Sequence, residues 1–159
     1  MIVNISTQEM GIAMQVAYSR WKESTEKGRQ DSLYKKEFWL DGFAAHLQGA
    51  CGEIAVAKAL NIYPYLHVNQ FSGMKSDLPG DIEVRCRSNS DHDLIIRDSD
   101  PHDRKYVLVR GGPPQMNVVG WSYGREHCVD EYRKDWGGFG EAWFIPANVL
   151  REIEDINNA

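Results

Sequence analysis

Apolar residues recur at intervals of three and four in the first part of the chain, and this spacing predicts two helices. The first is predicted over residues 7–25, because Ser6 followed by Glu9 has the form of a capping box that marks a helix start. The apolar positions behind this prediction are Met10, Ala13, Met14, Ala17, Tyr18 and Trp21. A second helix is predicted over residues 44–60, where many alanines and glycines allow close approach to a neighbouring sheet.

Beyond residue 61 the pattern changes to short β-like runs separated by glycine, proline and aspartate turns. The predicted strands are 65–69, 81–87, 93–97, 105–110, 118–123 and 142–145, and a helical turn is predicted over 149–156. Helices followed by strands predict an α+β (α/β) fold, with two helices packed against a mixed β-sheet.

The length of 159 residues suits one domain, so we expect residues 1–159 to form a single unit. With 42% hydrophobic and 26% charged residues, the composition is typical of a globular protein. No apolar run approaches the roughly 18 residues that a membrane span requires, and the chain begins without a signal-peptide pattern. We therefore expect a cytoplasmic protein without a membrane partner.

The net charge of −5 argues against a protein that coats nucleic acid through bulk charge. Local basic clusters can still contact a phosphate backbone. They lie at Lys35-Lys36, Arg85 and Arg87, Arg104-Lys105, and Arg133-Lys134. The cysteines are three in number and widely spaced, which predicts reduced thiols rather than a disulfide framework.

The segment spanning residues 77–87 concentrates charge on one side of a predicted strand. Side chains alternate along a strand, so Ile82, Val84 and Cys86 would form a core face, opposite Asp81, Glu83, Arg85 and Arg87. Asp77, at the preceding turn, can direct its carboxylate toward Glu83. Clustered carboxylates suit Mg²⁺ or Mn²⁺, whereas the alternative is a solvated face whose acids and arginines form salt bridges.

Glu53 is an acid on an otherwise apolar, small-residue helix that must pack against the sheet. A buried carboxylate is costly unless it is paired or binds a cation. The sequence leaves open whether Glu53 binds a metal ion, pairs with Lys58 or Arg85, or reaches solvent.

These pieces, in their order along the chain, resemble the motif of the PD-(D/E)XK nuclease superfamily. That motif places a glutamate on a helix, an aspartate in a β-hairpin and a (D/E)xK element on the following strand; here Gly52-Glu53, Asp77 and Glu83-Val84-Arg85 match it. The resemblance covers residues 44–150, whose later strands look like those of small phage and mobile-element nucleases. It implies a restriction-endonuclease-like core at 44–150, with residues 1–43 as an N-terminal helical extension.

The resemblance implies a divalent-metal-dependent endonuclease that hydrolyses DNA phosphodiester bonds. Glu53, Asp77 and Glu83 would bind Mg²⁺ or Mn²⁺, with Asp81 as an alternative to Asp77. The catalytic residues would be Glu53, Asp77, Glu83 and Arg85. Arg85 stands where the family usually has lysine. Arginine can orient a phosphate by a two-pronged contact, but it cannot act as a neutral base.

Two other functions stay open at this point. One is a catalytically inactive nuclease-fold protein of phage origin that binds nucleic acid or protein as an accessory factor. The other is an interaction domain in which the acids only form salt bridges. The expected partner is DNA, with a homodimer or a protein partner left open, and a phage origin would place the protein in the bacterial host cell.

Overall fold

The computed structural model describes residues 1–27, 41–68, 75–135 and 140–158. The helices are α1 (Thr7–Glu26), α2 (Asp41–Leu60) and α3 (Gly124–His127), with 3₁₀ turns at Asp130–Tyr132, Ala147–Val149 and Ile153–Asn158. The strands are β1 (Ile2–Asn4), β2 (Ile82–Arg87), β3 (Leu94–Arg97), β4 (Lys105–Gly112), β5 (Gln115–Tyr123), β6 (Arg133–Asp135) and β7 (Glu141–Ile145). The predicted basic pair Lys35-Lys36 lies outside the described residues.

Helix α1 begins where the sequence predicts. The hydroxyl of Ser6 accepts a hydrogen bond from the Glu9 amide at 3.3 Å, and the Glu9 carboxylate accepts one from the Ser6 amide at 2.7 Å. This reciprocal pair is the predicted capping box, which satisfies two amides that the first turn leaves without partners. Ala13 and Ala17 are fully buried on the face that meets α2.

The strands form two sheets rather than the single mixed sheet predicted. The first is mixed, in the order β1-β5-β4-β2, with β2 parallel to β4 and the other neighbours antiparallel. The second is antiparallel, in the order β3-β7-β6. The fold is therefore α+β, with a mixed sheet flanked by helices.

Three points of the predicted secondary structure need correction. Residues 65–68 form no strand, because Leu66 has a φ of +47° that interrupts extended backbone. Strands β1 and β6 were not predicted, since three residues are too few to display an alternating pattern. The predicted helical turn over 149–156 is instead two 3₁₀ turns.

Two apolar layers enclose the mixed sheet. On one side, α2 packs closely enough that Gly52 lies directly against the side chain of Cys86. On the other side, Tyr106 and Leu108 of β4 pack with Ile96 and Ile145 of the second sheet. The tight contact at Gly52 holds its neighbour Glu53 close to β2.

The cysteines Cys51, Cys86 and Cys128 are all free, as expected. Among the described residues, no helix is both long and apolar enough to cross a membrane.

Candidate functional site

Asp77 lies at the hairpin that leads into β2. The hairpin is closed by the Leu78 amide, which donates to the Ile82 carbonyl at 3.1 Å. The Asp77 carboxylate accepts a hydrogen bond from the Val84 amide at 2.8 Å. The acid of the turn is thus directed back onto the strand that carries Glu83, as the sequence predicts.

Asp81 occupies a different environment. It is exposed, it has a φ of +57°, and its carbonyl accepts a hydrogen bond from the Lys105 amide at 3.0 Å. Strand β2 begins only at Ile82. The prediction that Asp81 shares the charged strand face is therefore wrong, because the residue belongs to the turn.

Glu53 is 4% exposed and is held by an arginine from the N-terminal helix. Arg20 Nη1 donates to Glu53 Oε1 at 2.6 Å, and Nη2 donates to Oε2 at 3.0 Å. Arg20 Nε donates to the carbonyl of His67 at 2.7 Å. Of the partners considered from the sequence, Lys58 pairs with Glu9 instead, so the guanidinium of Arg20 is the counter-charge that the sequence analysis missed.

Glu83 is held by two further arginines. Arg85 Nη1 lies 3.3 Å from Glu83 Oε1, and Arg104 Nη1 donates to Glu83 Oε2 at 3.3 Å. Arg85 Nη2 also forms an ion pair with Asp100 Oδ2 at 3.0 Å, and its guanidinium lies 5.5 Å from the centre of the Tyr106 ring. Arg85 is thus fixed between two carboxylates and an aromatic face.

Asp77 is the shared neighbour of the other two predicted acids. Burial raises the pKa of Glu53 to about 7, with the negative charge of Asp77 adding to the rise and Arg20 opposing it. Burial likewise raises the pKa of Glu83 to about 7, and Asp77 again contributes. The pKa of Asp77 is raised by burial, against its hydrogen bond from Val84. The charge of Asp77 therefore acts on the carboxyls of both Glu53 and Glu83.

The donor chemistry at this place fits Mg²⁺ or Mn²⁺, because hard carboxylate oxygens are what these ions prefer. Raised carboxyl pKa values also show that the arginines do not fully offset the cost of burying these charges. However, guanidinium groups contact both oxygens of Glu53 and both oxygens of Glu83. Within residues 1–27, 41–68, 75–135 and 140–158, no three His, Cys, Asp or Glu side chains are arranged as a ready metal cage. A cation would have to share these oxygens with the arginines or displace them.

Two members of this network, Arg20 and Asp100, were not predicted, and only Arg20 carried a signal in the sequence. Arg20 lies three residues after Ala17, on the same buried face of α1, and a charge on such a face implies a buried partner. Asp100 lies in a turn-rich segment with no period, so nothing in the sequence pointed to its contact with Arg85.

One member of each of two predicted basic clusters, Arg85/Arg87 and Arg133-Lys134, lines a separate cleft. Arg87 of β2 and Lys134 of β6 line a cleft of about 210 Å³, together with His92 and Phe144. The acids Asp91, Asp93 and Asp135 also line it, so the cleft has mixed charge rather than a basic surface.

Comparisons of this chain with protein-family models, with curated proteins and with solved structures find no match.

Proposed function

We propose that this protein is a divalent-metal-dependent DNA endonuclease of the PD-(D/E)XK type, with Glu53, Asp77 and Glu83 as the metal ligands. The observation that supports this most directly is the environment of Asp77, whose carboxylate accepts a hydrogen bond from Val84 of β2 and whose negative charge acts on both Glu53 and Glu83. Simple surface salt bridges would pair each acid with a base and would not require acids to approach one another.

The substrate would be a phosphodiester, and Mg²⁺ or Mn²⁺ would supply Lewis-acid stabilisation of its developing charge. The residues of the chain itself would position the substrate phosphate. Arg85 is fixed by Glu83 and Asp100, so its guanidinium keeps a defined plane and can orient a phosphate oxygen. Arg85 stays charged at all working pH values and cannot accept a proton, so we assign it binding and electrostatic stabilisation only.

The test is cleavage of supercoiled, linear and single-stranded DNA, with Mg²⁺ and Mn²⁺ supplied separately. The parent protein should cleave, and Glu83→Gln, which keeps the shape but removes the charge, should lose at least about 100-fold in rate. Glu141→Gln is a matched control, because Glu141 is also an arginine-paired glutamate but lies on β7 and is exposed. Absence of cleavage by folded parent protein on every substrate would refute the proposal.

The same assay decides between the two candidate aspartates. Asp77→Asn should abolish cleavage, since the carboxylate directed onto β2 is lost. Asp81→Asn should retain it, because asparagine tolerates the positive φ of this turn and Asp81 is exposed. The opposite result would transfer the ligand role to Asp81.

A second candidate function is a catalytically inactive nuclease-fold protein that binds nucleic acid or protein. The observation in its favour is that arginines already contact both oxygens of Glu53 and Glu83. In that case the acids would serve stability, and neither Mg²⁺ nor Mn²⁺ would raise the melting temperature of the parent.

A further inference from the structure

Three cationic side chains surround an aromatic ring at the end of β5. Tyr123 is the last residue of this strand and pairs with Lys105, the first residue of β4. Arg125 Cζ lies 4.9 Å from the centre of the Tyr123 ring, and Arg151 Cζ and Lys105 Nζ each lie 5.9 Å from it. We name Lys105, Tyr123, Arg125 and Arg151 the Tyr123 cluster.

We propose that the Tyr123 cluster binds the phosphate backbone of duplex DNA. The choice of DNA as the partner rests on the proposed function, but the surface itself does not depend on the predicted metal ligands. Contacts to phosphate position a duplex without reading its bases, so this binding would be independent of DNA sequence.

Arg125 carries the argument furthest. It is exposed, and within the part of the chain that the structure describes its guanidinium contacts the Tyr123 ring rather than a carboxylate. The ring holds the guanidinium in place, so less side-chain freedom is lost when the group binds an anion. The fork of guanidinium N–H groups also matches the spacing of two phosphate oxygens.

Arg151 and Lys105 add positive charge at the same place. The guanidinium of Arg151 lies 5.0 Å from the centre of the Trp121 ring, and its side chain is 42% exposed although it also pairs with Glu126. The ammonium of Lys105 lies 5.8 Å from the same ring and donates to a backbone carbonyl at 2.8 Å. Several cations held against two adjacent rings suit a polyanion such as a DNA backbone.

A second stacked arginine shows why Arg125 is distinctive. Arg133 Cζ lies 4.8 Å from the centre of the Trp143 ring, but its Nη2 pairs with Asp98 at 3.0 Å and its Nε pairs with Glu141 at 2.8 Å. Two carboxylates therefore offset its charge and accept from its donors. Stacking is common to both arginines, whereas only the donors of Arg133 are committed to acids of the described chain.

The Tyr123 cluster is separate from the candidate site. Lys105 and Tyr106 are consecutive on β4, so their side chains face opposite sides of the sheet. Tyr106 faces the side that carries Arg85, whereas Lys105 faces the side that carries Trp121. DNA binding by the cluster can therefore be measured independently of cleavage.

The test is binding of the full chain to a short fluorescein-labelled duplex, followed by fluorescence anisotropy in chelator over about 50–200 mM salt. Arg125→Gln should weaken the affinity roughly tenfold, because a charge-assisted contact to phosphate is lost. The slope of log affinity against log salt concentration should also become shallower by about 0.9, since one fewer phosphate is neutralised. Both effects should be equal on two duplexes of unrelated sequence.

The matched control is Arg133→Gln, which removes the same charge from another exposed arginine stacked on an aromatic ring. It should leave the affinity and the salt slope unchanged. Arg125→Lys keeps the charge but not the stacked plane, so it should retain the salt slope of the parent. Parental affinity in Arg125→Gln, or an equal loss in Arg133→Gln, would overturn the proposal.

Arg151→Gln tests the cluster from a second position and serves if Arg125→Gln does not fold. It should also weaken binding and make the salt slope shallower, because the cluster again loses one charge. Parental values of both quantities for this variant would refute the proposal.

These outcomes separate the surface from the proposed function. If Arg125→Gln binds DNA as the parent does while Glu83→Gln abolishes cleavage, the Tyr123 cluster is wrong and the nuclease stands. If Arg125→Gln weakens binding but the folded parent cleaves no substrate, the cluster stands and the nuclease is refuted. A parent that binds neither duplex overturns the cluster.

Discussion

The close packing of α2 on β2 makes a quantitative prediction at Gly52. A methyl group added there would lie well inside van der Waals contact with Cys86 Sγ, and 3.5 Å from Val84 Cγ1. The second distance is ordinary contact, so the conflict is with one sulfur atom. The effect of Gly52→Ala on the free energy of unfolding should therefore depend on whether the Cys86 side chain can move.

The expected change in the free energy of unfolding has two parts. Alanine in place of a helical glycine stabilises by about 1 kcal/mol when there is space for the methyl group. Overpacking of a well-filled core costs about 1–3 kcal/mol. Gly52→Ala should thus destabilise the protein by about 1 kcal/mol net, and the overpacking should disappear when Cys86 is also replaced by alanine.

Urea denaturation of a double-mutant cycle checks this reasoning. In a Cys86→Ala background, Gly52→Ala should stabilise by about 0.5–1 kcal/mol, which gives a coupling energy of about 1–3 kcal/mol. The control is Gly49→Ala on the same helix, where the new methyl group meets nothing within 4 Å and should stabilise in either background. Additive effects of the Gly52 and Cys86 changes would refute the close-packing argument.

Three further predictions concern the helix cap, pH and the site arginine. Ser6→Ala should lower stability by about 1 kcal/mol in thermal unfolding, because the Glu9 amide loses its capping partner; an unchanged melting temperature would contradict this. Burial raises the pKa of Glu83 from its ordinary 4.5 to about 7, so between these pH values the native state keeps a proton that the unfolded chain has released. The free energy of unfolding of the parent should therefore fall as the pH rises from about 4.5 through 7. Glutamine does not titrate, so the free energy of unfolding of Glu83→Gln, measured by urea denaturation, should rise by about 1–3 kcal/mol relative to that of the parent between pH 5 and pH 8; a difference that stays constant over this range would count against the shift. Arg85→Lys should slow DNA cleavage, since lysine cannot contact Glu83 and Asp100 in one plane; a faster variant would show that arginine is the handicap.

The sequence was most informative where a periodic pattern of apolar residues coincided with residues that mark where a helix or strand begins. The beginning of α1 at Thr7 follows from the capping box, and β2 and β3 begin within one residue of their predicted limits. Those features depend on neighbours in the chain, which a sequence displays directly.

Features that depend on contacts between residues distant in the sequence were harder to predict. The short apolar run of β3 predicts a strand but not the sheet that it joins, because pairing with β7 is decided by tertiary packing. At the site, the approach of Asp77 to β2 was predictable from the turn, whereas the pairing of Arg20 with Glu53 joins residues 33 positions apart. No local pattern specifies which buried cation meets which buried acid.

The register of β1 also has a consequence for synthesis on the ribosome. Ile2 pairs with Asn117, and Asn4 pairs with Gln115, so the first strand of the sheet has no partner until β5 has been made. At translation rates of about 5–20 residues per second, the intervening chain takes roughly 6–22 s to appear. Throughout that interval the nascent N-terminal strand lacks its hydrogen-bonding partner, so completion of the mixed sheet must follow translation of β5, however early α1 and α2 become helical.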